Sequence, residues 1–204
     1  MIYKFCCLLG IILYKLLFRF KSAGRENFPP KGGCILASNH LSHLDPLALG
    51  IPSYRRLNFM ARKSLFNNKL FAKFLNSVDA FAVEDKDLGL SGMKEALRRL
   101  KAGKVVALFP EGTRSKDGKL HPGKIGVGLL ALKSNVPIVP ARIFGTDQAL
   151  PIGARFIRLR PVSVYFGRPL RFGQSYQQGN KKDNYLRASQ SIMEQISKLG
   201  PQVK

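Results

Sequence analysis

The strongest constraint on this chain is an alternation along its length. Short apolar, β-rich runs occur at Cys34 to Ser38, Leu57 to Ala61, Ala80 to Val83, Val105 to Phe109, Ile138 to Phe144 and Val162 to Phe166. The stretches between them carry apolar residues at helical spacing. From Ser64 to Val78 these are Leu65, Phe66, Leu70, Phe71, Phe74 and Leu75. From Ser91 to Ala102 they are Met93, Ala96, Leu97 and Leu100, with Ser91 as the expected N-cap and Gly103 just past the end. Ile125 to Ser134 and Asn184 to Leu199 read as two further helices. Strands alternating with helices predict one α/β domain, a mostly parallel central sheet flanked by helices. In such a domain the chemistry sits where strands end and loops turn into helices. A length of 204 residues, 45% of them hydrophobic, suits one such domain with a sizeable core. Its expected span is 24–204, behind a separate segment of residues 1–23.

That first segment begins MIYKFCCLLGIILYKLLFRF, an apolar run from Phe5 to Tyr14 flanked by Lys4, Lys15 and Arg19. A spanning helix needs about 20 mostly apolar residues, and this run is shorter. As a helix it would place Lys4 and Lys15, eleven residues apart, within about 20° of each other. One cationic edge beside a wide apolar face describes a helix lying in a membrane interface. A cleaved signal, a buried core helix and a true span with snorkelling cations are the alternatives. The cations just before Ser22 to Gly24 argue against cleavage. Over the whole chain, 34 Lys and Arg against 12 Asp and Glu give a net charge of +22. Such an excess excludes an acidic tail protein and calls for a polyanionic partner: nucleic acid, an anionic membrane or a phosphorylated substrate. The three cysteines, Cys6, Cys7 and Cys34, form no disulfide framework and no zinc-type spacing, which fits a reducing compartment.

Two stretches carry chemistry. In Ile35 to Gly50, ILASNHLSHLDPLALG, a strand ends near Asn39, His40 follows, and Asp45 stands directly before Pro46. Asp before Pro is a helix-start pattern, so Asp45 reads as a cap. A loop that folds His40 back beside Asp45 would instead let the carboxylate hold one imidazole nitrogen and leave the other as a base. No protein nucleophile accompanies the pair, so the hydroxyl to be activated would belong to a substrate. In Val105 to Ser115, VVALFPEGTRS, an apolar strand breaks at Pro110 into Glu111, Gly112, Thr113, Arg114 and Ser115. Arg114 either holds a phosphate in bidentate fashion or is a solvated turn residue.

Taken together, N-H-x-x-x-x-D at a strand end and a later F-P-E-G-T-R-S resemble the glycerolipid acyltransferase family, in particular its bacterial 1-acylglycerol-3-phosphate acyltransferases. Gly24 to Gly33 (GRENFPPKGG), Arg62 to Phe66 (RKSLF) and Val136 to Thr146 (VPIVPARIFGT) support the resemblance, which runs from Gly24 to Leu170. It implies acyl transfer from an acyl thioester, acyl-CoA or acyl-carrier protein, to the free hydroxyl of a lysophospholipid, giving phosphatidic acid. His40 would be the general base, oriented by Asp45, and Glu111, Gly112, Thr113 and Arg114 would shape the phosphate site. Val136, Pro137 and Ile138 match a block associated with donor binding or core packing. No cofactor or metal is implied beyond the donor. The implied location is membrane-associated, at the cytoplasmic face of the cell membrane.

One position departs from the family pattern. Where a phosphate-contacting Arg closes the second block, the run Asp79 to Asp85, DAFAVED, ends in Asp85 with Lys86 behind it. Lys86, Arg62 or Lys63 would then supply the charge, or the acceptor is another lyso-lipid or glycerol phosphate. A non-catalytic nucleic-acid or membrane-binding module is the reading from another class, without a helix-turn-helix or aromatic single-strand motif to support it. His40 and His43, three residues apart, could be drawn with Asp45 or His121 as a metal site but lack a third strong ligand at a recognisable spacing, and His121 before Pro122 fits an exposed loop. The glycines of GKIGVG, Gly123 to Gly128, lack nucleotide-loop order and fit close helix packing. From Arg142 to Arg171 there are six Arg, no Lys and one acid, Asp147, a solvated face or a surface for membrane or donor phosphates.

Overall fold

The computed structural model describes residues 11–12, 14–69, 72–73, 75, 79–83, 90–173, 176 and 178–201. Seven strands form one sheet: β1 (Lys21–Ala23), β2 (Cys34–Ser38), β3 (Leu57–Arg62), β4 (Phe81–Val83), β5 (Val105–Leu108), β6 (Ile138–Phe144) and β7 (Ser163–Phe166). Their order is β1-β7-β6-β2-β5-β3-β4. The five strands β2 to β6 run parallel, whereas β7 pairs antiparallel with β6 and carries β1 parallel to itself. Helices among the described residues include α1 (Asp45–Gly50), α2 (Leu90–Lys101), α3 (Ile125–Ser134), α4 (Thr146–Ala149) and α5 (Lys181–Ser197). The expected α/β architecture is therefore present, with two strands reversed at one edge.

Both faces of the sheet are covered, which is why the central strand reads as a continuous apolar run. Along β2, Cys34 and Leu36 enter one core cluster with Tyr14, Phe18, Phe28, Ala48 and Leu49. Ile35 and Ala37 point the other way, into a cluster with Met93, Leu100, Leu130, Ile192 and Ile196 from α2, α3 and α5. Gly128 lets α3 and α5 touch, since a Cβ there would stand 1.9 Å from the Tyr185 carbonyl oxygen. The packing role expected for GKIGVG is thus met. Gly103 (φ 76°) ends α2 in the left-handed conformation.

Several elements differ from the sequence pattern. The helix expected over Ser64 to Val78 is broken: Lys63–Phe66 form a 3-10 turn, and helical residues resume at Lys69 after a bend at Asn67 and Asn68. Asparagine competes with the helical backbone for hydrogen bonds, which makes the pair a natural break. Ser91 lies inside α2 rather than capping it, and α5 starts at Lys181, where the Asn180 side chain accepts from the Lys182 N–H. β1 has no hydrophobic pattern and owes its place to β7. The helix expected over residues 1–20 lies outside the described residues up to residue 10. From Tyr14 onward the chain packs on the domain, with Tyr14 and Phe18 buried and Lys15, Leu16 and Leu17 exposed. Among the described residues no helix is long and apolar enough to cross a membrane.

Arg99 ties α2 to the sheet. Its guanidinium donates to Asn58 Oδ1 (2.5 Å) and to the Asp79 carbonyl (3.0 Å) and lies over the Phe81 ring. Glu95 accepts from both Arg98 and Arg99, and the Arg98 hydrogen bond foremost holds its carboxyl down at about 2. An unfolded Glu titrates near 4.3, so this contribution is complete above that value and lost as pH falls through about 2. Urea unfolding of the Glu95→Gln protein should accordingly lose about 1 kcal/mol less stability than the parent between pH about 5 and about 2. Equal losses in the two proteins would show that the cluster adds nothing.

Candidate active site

The parallel strands β2, β5 and β6 end at one edge of the sheet, and the two sequence motifs leave from there. The exit from β2 is set by Asn39, whose Nδ2–H donates to the Ile143 carbonyl (3.0 Å) and whose Oδ1 accepts the Ile143 N–H (2.7 Å). One amide with both a donor and an acceptor replaces the next rung of the β2–β6 ladder. The main chain is thereby free to turn away at His40.

His40 is held on every side but one. Its N–H donates to Glu111 Oε1 (3.1 Å), its carbonyl accepts the Ser115 N–H (2.8 Å), and its ring stacks on Phe109 with centroids 3.9 Å apart. Nδ1–H donates to Asp45 Oδ2 at 2.7 Å. Nε2 has no hydrogen-bond partner among the described residues, and the side chain stays 19% exposed. An imidazole with Nδ1 protonated onto a carboxylate and Nε2 open is a base aimed at solvent or substrate.

Asp45 is fully buried and collects four donors. Oδ2 accepts from His40 Nδ1, the Leu41 N–H (2.6 Å) and the Ser42 N–H (2.9 Å), while Oδ1 accepts from Thr146 Oγ1–H (2.6 Å). The capping expectation for Asp45 is corrected here. The residue opens α1, yet no side chain caps that helix, and the carboxylate turns back onto N–H groups that precede it. Pro46 has no N–H to offer in the first turn, so the loop before Asp45 takes the carboxylate.

The second motif forms a turn in which the Gly112 N–H donates to the Phe109 carbonyl (2.9 Å), with Pro110 and Glu111 in its middle. That turn sends Glu111 inward. Its two oxygens accept the His40 and His121 N–H groups, and burial raises its carboxyl above the usual range against the pull of those two bonds. Glu111 is therefore a buried clip between two loops, and the outward-facing members of the motif are Gly112, Thr113 and the half-buried Arg114. No hydrogen bond or ion pair from Arg114 appears among the described residues. Its charge nevertheless reaches His43, which desolvation first and Arg114 second hold below the ordinary imidazole value. His121 is exposed, as expected, and its ring donates to Asp117 (2.9 Å).

Of the other expected phosphate ligands, Arg62 and Lys63 stand at the carboxyl end of β3, on the same sheet edge as the motifs. Lys86, like Asp85, lies outside the described residues. Ile138 is buried in β6, and Val136 packs against the same core, which places this block in the packing. Sequence reasoning missed Asn39, Phe109, Thr146 and Lys124. The Lys124 side chain lies over Gly112, with Nζ 3.2 Å from where a Cβ would stand. A lysine next to a glycine-containing turn was the only available signal for it.

The sequence model of the acyltransferase family matches residues 19–144. The chain belongs to this family. A 1-acyl-sn-glycerol-3-phosphate acyltransferase of Bacillus subtilis is 31% identical over 169 residues, 82% of this chain and 82% of that protein. A chloroplastic 1-acyl-sn-glycerol-3-phosphate acyltransferase of Brassica napus is 34% identical over 140 residues, 66% of this chain and 40% of that longer protein. The fold is also that of the 1-acyl-sn-glycerophosphate acyltransferase PlsC from Thermotoga maritima. Its crystal structure has a TM-score of 0.72 and 23% identity, and the likeness covers 91% of this chain and 73% of that one. This acyltransferase is thus an enzyme, and the reading as a non-catalytic binding module falls.

Proposed function

We propose that the acyltransferase moves an acyl chain from acyl-CoA or acyl-carrier protein to the free hydroxyl of 1-acylglycerol 3-phosphate, giving phosphatidic acid. The observation that carries this reading is the open Nε2 of an imidazole whose Nδ1 is fixed on the buried Asp45, with no protein nucleophile bonded to it among the described residues. His40 Nε2 takes the proton of the acceptor hydroxyl as that oxygen attacks the thioester carbonyl. The tetrahedral adduct collapses, the C–S bond breaks, and the thiolate leaves with the proton returned from the imidazolium. Asp45 orients the ring and offsets its transient charge. Arg114, with Lys124 beside the same turn, supplies cations for the acceptor phosphate.

The names of the relatives support this acceptor, and the net charge of +22 suits anionic donors and an anionic lipid surface alike. Asp85, where the family pattern has Arg, favours a second reading in which the acceptor is another lyso-lipid, such as a lyso-ornithine lipid, or glycerol 3-phosphate. We place the enzyme at the cytoplasmic face of the cell membrane, where such donors and acceptors meet. The test is acceptor-dependent thiol release from acyl-CoA and acyl-carrier protein, with lysophosphatidic acid and the other acceptors side by side. Release driven best by lysophosphatidic acid supports the first reading, and release only with another acceptor replaces it. The Arg114→Ala enzyme should show a KM for lysophosphatidic acid raised about tenfold or more, with KM for the donor little changed. A donor effect instead would move Arg114 to the other substrate.

A further inference from the structure

Twelve large apolar side chains are exposed among the described residues, and seven of them fall in two segments distant in sequence. Ile12, Leu16 and Leu17 precede β1, and Ile152, Phe156, Ile157 and Leu159 precede β7. Phe156 is 83% exposed, Leu16 70% and Leu159 64%. Arg155, Arg158 and Arg160 alternate with the second group, and every residue from Arg155 to Pro161 is exposed.

Topology brings the two segments to the same place. Because β7 runs antiparallel to β6 and β1 runs parallel to β7, the amino ends of β1 and β7 lie at the edge where β2 and β6 end. The chain before β1 and the chain before β7 meet there, with the Val162 N–H donating to the Phe18 carbonyl (2.9 Å) and the Lys21 N–H to the Val162 carbonyl (3.1 Å). That edge is also the one from which His40 and Thr146 leave the sheet. The second segment is moored beside the site. The Ser42 hydroxyl donates to the Leu150 carbonyl (2.8 Å), and the Arg158 N–H donates to the Ala149 carbonyl (2.7 Å), at the far end of the helix that bears Thr146.

We propose that residues 152–160, together with the exposed Ile12, Leu16 and Leu17, form a surface that seats this enzyme on an anionic phospholipid bilayer with the His40–Asp45 pair at the contact edge. The inference rests on the lipid-acceptor reading for its biological sense, but its physical basis is separate. Large apolar side chains interleaved with arginines suit the boundary between acyl chains and anionic headgroups, where apolar groups insert and guanidinium groups stay among phosphates. A second copy of the chain fits the surface poorly. A symmetric self-contact would oppose arginine to arginine, and the sequence has no acid between Gln148 and Lys182 to pair with them. An acceptor that remains in the bilayer would then meet Nε2 without leaving it.

The test uses the full chain and vesicles of phosphatidylcholine with and without phosphatidylglycerol, read by flotation. The Phe156→Ser/Leu159→Ser protein should bind the phosphatidylglycerol vesicles at least about tenfold more weakly than the parent. It should keep the parent's melting temperature and its turnover on a monomeric, short-chain lysophosphatidic acid. The Arg155→Gln/Arg158→Gln/Arg160→Gln protein should lose most of the preference for phosphatidylglycerol, about fivefold per arginine. Unchanged flotation of both variants overturns the proposal and leaves attachment to the N-terminal segment. A variant that changes the molecular mass in light scattering overturns it in favour of a second copy. An equal loss of turnover on the short-chain acceptor also overturns it, because the segment would then belong to the reaction site. Flotation requires no catalysis, so a failure to acylate any lysophospholipid would count against the functional reading and leave this result to stand by itself.

Discussion

The His40→Ala enzyme is expected to transfer acyl groups about 10³-fold more slowly than the parent while remaining folded. In the proposed mechanism the loss is catalytic, because Nε2 is the base there and no other imidazole can take its place. His43 is exposed and has no hydrogen bond to Asp45, and His121 is engaged with Asp117. The fold survives because the main-chain bonds at this position, the N–H to Glu111 and the carbonyl from Ser115, do not involve the side chain. Asp45 also keeps three other donors. Single-turnover acyl transfer with a thermal melt on the same sample checks both halves. A His40→Ala enzyme with near-normal turnover would remove the general-base mechanism.

Asp45 should divide into two separable effects. In Asp45→Ala the Leu41 and Ser42 N–H groups and the Thr146 hydroxyl lose their acceptor in a fully buried place, which should cost about 3–5 kcal/mol of stability. Asp45→Asn should fold far better, because the geometry selects the orientation of the new amide. With the amide oxygen toward Leu41, Ser42 and His40, the three N–H donors keep an acceptor. The NH₂ then meets Thr146 Oγ1, a hydroxyl that accepts as readily as it donates. The opposite orientation would aim the NH₂ at two backbone N–H groups. The imidazole therefore keeps its tautomer in Asp45→Asn and loses only the negative charge beside it. Turnover should fall about 10²-fold, less than for His40→Ala, with melting within a few degrees of the parent. Urea unfolding and kcat on the three proteins check the order. If Asp45→Asn and Asp45→Ala are equally unstable, the four-donor account of the carboxylate is wrong.

How far the site could be read from the chain depends on what each residue does. His40 and Asp45 were legible because an imidazole, a carboxylate and a short spacing are themselves the chemistry. The position of Arg114 was legible too, as a guanidinium in a turn after a strand. Glu111 was not, although it sits in the same motif: whether a carboxylate faces a ligand or two buried N–H groups depends on the loop that folds over it. The roles of Asn39 and Thr146 gave no signal because their partners stand elsewhere in the sequence, Thr146 at 101 residues from Asp45 and Asn39 at 104 from Ile143.

The fold divides in the same way. Alternating β-rich runs and helical spacing sufficed for the α/β class and a mostly parallel sheet, because both periodicities are local properties of the chain. The short polar β1 and the interrupted helix after β3 escaped it. The first depends on pairing with β7 and the second on two asparagines within an otherwise helical pattern. The cationic composition likewise declared the sign of the partner without its position. Position came from strand direction alone: with β7 reversed against β6, the exposed apolar and arginine residues before β1 and β7 arrive at the edge that carries His40 and Asp45. Local sequence carries the period of each element and the chemistry of each side chain. Which ends of the strands share an edge is a matter of long-range pairing, and only the folded sheet decides it.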